Sequence, residues 1–218
     1  ASRRTCLKAL RSHRVDGERP TTWRVEGVFD SSYSLAQVNR HLAMALSAAP
    51  QRSVALLTYE QGASPDISLE QLALPEQDAV ATMWARGKKL ESAPDLSLRN
   101  AWPPAVQGMR GYLRVLANYA WEETRFPREF TWAFNRNLDL ITVVSSQTAR
   151  FLEDAGVNVP MAVVGNGADH LAATVGASPR QALPEGFKFL HVSSCFARKG
   201  VDVLLAAFGE GFSAQDSV

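Results

Sequence analysis

The sequence predicts an α/β fold built on a mainly parallel, doubly wound sheet, and three observations carry that reading. From Thr22 onward, short β-rich runs alternate with helical or loop segments, the pattern of parallel α/β architecture. Two strand–turn–helix units have well-marked boundaries in the text. With 46% hydrophobic and 21% charged residues, the chain has apolar material for a substantial core. At 218 residues it is long enough for one full domain and the beginning of another.

Six strands are expected before residue 165: Trp23 to Phe29, Ser53 to Tyr59, Leu96 to Asn100, Leu113 to Tyr119, Leu140 to Val144 and Met161 to Val164. The segment SLAQVNRHLAMALSAA between the first two sets Leu35, Val38, Leu42 and Leu46 on one helical face and leaves Asn39 and Arg40 off it. Ser34 followed three residues later by Gln37 has the form of a capping box, so the helix is expected to start there. The second clear unit is LDLITVVSSQTARFLEDAGV. It reads as a strand, then Ser145 and Ser146 as turn and cap, then a helix with Phe151 and Leu152 inward and Gly156 at its C-terminal cap. Between Gln61 and Pro94, where Pro65, Pro75 and Gly87 interrupt short amphipathic pieces, one or two helices are expected.

The elements imply a layout of four parts. Residues 1–21 form a basic N-terminal arm or the end of an upstream segment; 22–169 form a Rossmann-like domain. Residues 170–186, which carry Gly, Pro and Ser, read as a linker. Residues 187–218 open a second Rossmann-like domain, with a strand at Phe187 to Val192 and a helix at Gly200 to Phe208. A lone βα unit cannot close its own core, so its apolar face implies further sequence, docking or self-association.

Composition excludes several classes of function. The 23 Lys and Arg balance 22 Asp and Glu, so the chain has no large basic field for nucleic acid. No apolar run approaches the length of a membrane-spanning helix, which leaves peripheral membrane association at most, through the basic arm or exposed aromatics. Cys6 and Cys195 form neither a metal-type pair nor a disulfide framework, which fits a reducing cytoplasm. His13, His41, His170 and His191 lack ligand spacing, so no metal site is expected.

Ligands of doubly wound sheets bind beyond the carboxyl ends of the strands, where helix N-termini offer unpaired N–H groups. The first such turn is Asp30-Ser31-Ser32-Tyr33, whose hydroxyls and amides suit a sugar or phosphate, or simple capping; it has no glycine-rich fingerprint. The second follows the Leu113 to Tyr119 strand, where Trp121, Glu122 and Glu123 suit carbohydrate, since aromatic faces pack on sugar C–H surfaces and carboxylates bind hydroxyls. Arg99, before the Trp102-Pro103-Pro104 loop, suits an acceptor phosphate or carboxylate, or an ordinary buried ion pair. Ser145 and Ser146 close the next strand. Arg198 and Lys199, at the mouth of the last helix, suit a pyrophosphate.

Three stretches together resemble the family-four group of retaining GT-B glycosyltransferases, which use nucleotide sugars. LDLITVVSSQTARFLEDAGV is similar to the strand and Ser-capped helix near the end of that group's acceptor domain. VVGNGAD looks like its N-G-x-D domain-closing signature, with Asn166, Gly167 and Asp169 in place. ARKGVDVLLAAF is close to the opening of its donor domain. RNAWPP and NYAWEETRFP look like its bacterial polysaccharide and O-antigen branch.

The resemblance implies transfer of a sugar from a nucleotide diphosphate to a glycan or lipid-linked acceptor, without metal or other cofactor, in the cytoplasm or at the inner face of the membrane. It implies that Lys199, with Arg198 beside it, binds the donor diphosphate. It assigns no catalytic residue, because the group's acceptor-domain histidine has no counterpart. Ser193 and Ser194 stand where an arginine is common, and the E-x7-E donor motif lies beyond Val218. A missing C-terminal donor domain follows, with the 218 residues inactive alone. A non-catalytic glycan-binding or assembly module with a GT-B half-fold is the alternative.

Overall fold

The computed structural model describes residues 20–59, 67–70, 72–168 and 185–218; most of the basic arm and linker, Asp169 and His170 lie outside them. The chain divides into two compact units, with the boundary between Gly167 and Ala168. The first unit is an α/β domain around a six-stranded, all-parallel sheet in the order β2-β1-β3-β4-β5-β6. In sequence, its elements are β1 (Thr21–Gly27), α1 (Ser34–Ser47), β2 (Arg52–Thr58), α2 (Leu74–Lys88), β3 (Leu96–Arg99) and β4 (Leu113–Tyr119). Then come α3 (Arg128–Asn137), β5 (Leu140–Val143), α4 (Ser146–Asp154) and β6 (Met161–Val163). All six expected strands are present, displaced at their ends by two residues or fewer.

Strand alternation divides the core into two layers. Val25, Leu56, Leu98 and Val115 pack with Ala43 of α1 and Val80 and Met83 of α2. Leu116, Ile141 and Val143 pack on the opposite layer with Phe134 of α3 and Leu152 of α4. Helices therefore cover both faces, the doubly wound arrangement. Phe134 is fully buried, a contribution of about 2–3 kcal/mol from area alone.

Helix α3 is the element that sequence reasoning missed. Pro127 caps it, and Phe126, Phe130 and Phe134, four residues apart, line one side and pack edge-to-face or stacked on one another. Helix α4 ends as expected. Ser145 Oγ accepts from the Thr148 amide (3.1 Å), and Gly156 at φ +87° lets Val157 N–H reach Leu152 O and Gly156 N–H reach Glu153 O, a Schellman closure.

Helix α1 corrects two expectations. Its N-cap is Tyr33, without a side-chain cap, and Ser34 is already helical; Gln37 Nε2 instead donates to the Ser32 carbonyl, so no capping box forms. Its buried stripe is Ala36, Asn39, Arg40 and Ala43, while Leu35, Val38, Leu42 and Leu46 are only half-buried. The two polar residues are inside because the β1 turn presents carbonyls that require donors there.

Helix α2 is a helix of the kind expected between Gln61 and Pro94, and it packs against the edge strand β2. Arg86 Nη1 donates to Val54 O, and a Cβ on Gly87 would fall 1.8 Å from Leu56 O, so helix and strand backbones touch there.

The second unit holds a 3₁₀ turn (Ala197–Lys199) and α5 (Val201–Gly211), the expected helix. The expected strand at Phe187 to Val192 does not form. Among the described residues its backbone has no ladder partner, only one bond from Phe187 N–H to Ser217 O, and a strand without a neighbour leaves its polar groups unpaired. Phe189 packs against Phe187, Phe208 and Phe212 in its place.

Candidate functional site at the carboxyl edge of the sheet

The strand order reverses direction between β1 and β3, which makes the loops after these strands the topological switch point. Asn39 ties them together. Its fully buried amide donates to Val28 O (2.8 Å) and to Asn100 O (3.0 Å). A Cβ on Gly27 would meet Asn100 O at 2.4 Å and Asn39 Nδ2 at 2.5 Å, so glycine is what lets the two turns come this close. Arg40 holds the same turn by donating to Phe29 O (3.1 Å) and Ser31 O (2.6 Å), and is itself paired with Glu76 at 3.3 Å.

Asp30 in this turn is half-buried and accepts from Ser68 N–H at 3.4 Å. Ser31 Oγ is buried without a partner, whereas Ser32 and Tyr33 are exposed. The Asn39 amide occupies the switch point, whereas Trp102 after β3 and Glu122 and Glu123 after β4 give the edge an exposed surface.

Arg99 lies beneath that surface, not on it. Only 3% exposed, it donates to Glu26 Oε2 (2.7 Å), Ala105 O (2.7 Å) and Gln107 O (3.2 Å), with its guanidinium 3.7 Å from the Tyr59 ring centroid. Glu26 is fully buried and also receives Arg24 (2.7 Å) and Ser97 Oγ; Arg24 reaches Arg110 O at 3.2 Å. Of the two readings of Arg99, the geometry gives the buried ion pair: it is engaged with one carboxylate and the carbonyls of the 100–112 segment. Sequence reasoning missed Glu26 altogether. Its alternation with Arg24 in WRVEG, set beside Ser97 and Arg99 in LSLR, is the signal that two parallel strands share a charged face.

At the end of β4 the register slips: Leu116 pairs with Ile141, but Tyr119 pairs with Val143, so three residues oppose two. Asn118, at φ +51°, takes up the bulge and donates its N–H to Thr142 Oγ1 (2.8 Å). The bulge turns Tyr119 onto the Leu116 layer. Its hydroxyl is buried without a partner, and burial pushes its pKa well above the ordinary 10.0.

Trp121 is half-buried and walled in by Tyr119, Phe126 and Phe130, at 6.5, 4.9 and 6.4 Å between centroids. Its Nε1 is buried and unpartnered. The exposed aromatic beside it is Trp102, at 58% exposure and 5.9 Å from Trp121. Glu122 and Glu123 are both exposed.

Further along the edge, Asn118 Nδ2 donates to Asn166 Oδ1 (3.1 Å), which brings the penultimate residue of β4 to the Asn166-Gly167 stretch after β6. Ser145 is committed to capping α4, while Ser146, its first residue, is exposed. The edge thus collects Trp102, Asn118, Trp121, Glu122, Glu123, Ser146 and Asn166.

No family model matches this chain, and no curated protein matches it. Arg198 and Lys199 are exposed in the 3₁₀ turn of the second unit, followed by Gly200 at φ +64°. Among the described residues, no helix is long and apolar enough to cross a membrane.

Proposed function

We propose that the chain is the acceptor-side half and donor-side beginning of a nucleotide-sugar glycosyltransferase of the GT-B type, acting on a glycan or lipid-linked acceptor in polysaccharide biosynthesis. The observation that carries this reading is the side-chain bond between Asn118 and Asn166. It sets the N-G stretch against the carboxyl edge of a doubly wound sheet, the edge at which such folds take ligands. An exposed tryptophan and two carboxylates share that edge, a combination suited to sugar hydroxyls and C–H faces. The Rossmann-like architecture of the first unit supports the reading, as does a second compact unit with Arg198 and Lys199 before a helix.

On this reading, Lys199 and Arg198 neutralise the leaving diphosphate, together with helix N–H groups. The acceptor lies along the β3–β4–β6 edge. Calorimetric titration of the full-length gene product with UDP, GDP, ADP and their sugar derivatives tests it. One nucleotide is expected to bind, and Lys199→Ala is expected to weaken it about tenfold or more, the loss of a charge-assisted contact. Binding of none of them would refute the donor-site assignment.

A further inference from the structure

We propose that Trp102 is the stacking platform of the acceptor site and that its ligand there is a neutral pyranose ring of a glycan; this rests on the acceptor-side reading above. Trp121, the aromatic that the sequence offered for this task, is enclosed by Tyr119, Phe126 and Phe130. Trp102 is the more exposed of the two, at 58%, and its indole rests against Trp121 at 5.9 Å and 42°. Trp121 therefore backs the platform and Trp102 presents it.

A large exposed aromatic on a loop loses binding power if the loop wanders, and this loop is held. Arg99, anchored on the buried Glu26, donates to Ala105 O and Gln107 O within six to eight residues of its own position, and Arg24 fixes Arg110 O. The carbonyls that close the 100–112 segment are thus pinned by two buried guanidiniums, a preorganised mount for a stacking residue.

The polar groups of the same edge point to a neutral polyol. Asn118 and Asn166 bond through one group each, leaving Asn118 Oδ1 as an acceptor and Asn166 Nδ2 as a donor. An acceptor and a donor on one bonded pair of amides suit hydroxyls, which both give and take hydrogen bonds. Glu123 adds an exposed carboxylate, which disfavours an anionic ring, and Arg99, the cation proposed for a phosphate, is engaged below the surface.

The test is binding of the full-length gene product to an array of neutral and acidic oligosaccharides, followed by calorimetry on the strongest neutral hit. Three proteins are compared: unaltered, Trp102→Ala and Trp102→Phe. The platform predicts a neutral oligosaccharide that binds the unaltered protein, a loss of about tenfold or more in Trp102→Ala, and substantial recovery in Trp102→Phe. An unchanged melting temperature, expected for a residue this exposed, separates lost binding from lost fold. Binding of acidic glycans alone, of no glycan, or equally by Trp102→Ala overturns the platform. Nucleotide titration of the same three proteins keeps the outcomes apart: if nucleotide binds in all while glycan binding ignores Trp102, the platform fails and the transferase reading survives. If the unaltered protein binds no nucleotide, that reading fails as well.

Discussion

Replacing Glu26 with alanine is the sharpest probe of how the first unit is held together. The carboxylate is fully buried between Arg24 (9% exposed) and Arg99 (3% exposed), and it also accepts from Ser97 Oγ. The substitution would strand two buried guanidiniums. Removing one partner of a buried pair costs about 3–5 kcal/mol, because the remaining charge has lost water and gained nothing. Arg99 would keep its bonds to Ala105 O and Gln107 O, which argues for the middle of that range, about 4 kcal/mol. With a urea slope of about 2 kcal/mol/M, the unfolding midpoint should fall by about 2 M, read by tryptophan fluorescence. Asp139→Ala is the comparison: its pair with Arg114 is 31% exposed on each side and it also accepts from the Arg114 backbone N–H at 2.9 Å, so its loss should cost about 1–2 kcal/mol. A Glu26→Ala shift below about 0.5 M, or one no larger than that of Asp139→Ala, would refute the view that Glu26 anchors the two arginines.

Three further substitutions test neighbouring parts of the account. Gly87→Ala should raise helix propensity by about 1 kcal/mol, yet the added Cβ would lie 1.8 Å from Leu56 O; a melting temperature lowered by several degrees is expected, and a rise would show that α2 does not abut the β2 edge. Asn39→Leu removes the donor to Val28 O and Asn100 O, and should cost about 2–4 kcal/mol by urea unfolding; a loss under 1 kcal/mol would mean that the two turns do not depend on this amide. Tyr119→Phe removes a buried hydroxyl with no partner, so stability at pH 7 should be unchanged or higher. Because the folded state holds the Tyr119 proton above the ordinary 10.0, the unfolded chain binds fewer protons there and stability falls as pH rises past about 10. Tyr119→Phe should flatten that alkaline loss, and an unchanged slope would contradict the assigned burial.

The strands were legible because parallel sheets bury both faces and write themselves as compact β-branched and aliphatic runs, as in SVALLTY and LITVV. The cap of α4 was legible because Ser145 and Gly156 act locally, through bonds to residues three to five positions away. What stayed hidden depends on groups distant in sequence. Asn39 and Arg40 looked solvent-facing because periodicity equates burial with apolar character, and their partners are carbonyls of another turn. Helix α3 was masked by Pro127 and by charges interleaved with its aromatic stripe. The bulge at Asn118 moved Tyr119 to the other layer, which strict alternation cannot foresee. At the candidate site, Trp121 and Arg99 drew attention as residue types suited to ligands, and only packing revealed that Trp121 is walled in by Tyr119, Phe126 and Phe130 and that Arg99 is engaged with Glu26.

The proposed sugar transfer is tested by NMR observation of the full-length gene product incubated with a nucleotide sugar and a neutral oligosaccharide. The expected result is a new glycosidic linkage with the anomeric configuration of the donor retained, and its loss in Lys199→Ala. An inverted linkage would contradict the retaining assignment, and no transfer from any nucleotide sugar would contradict the claim itself.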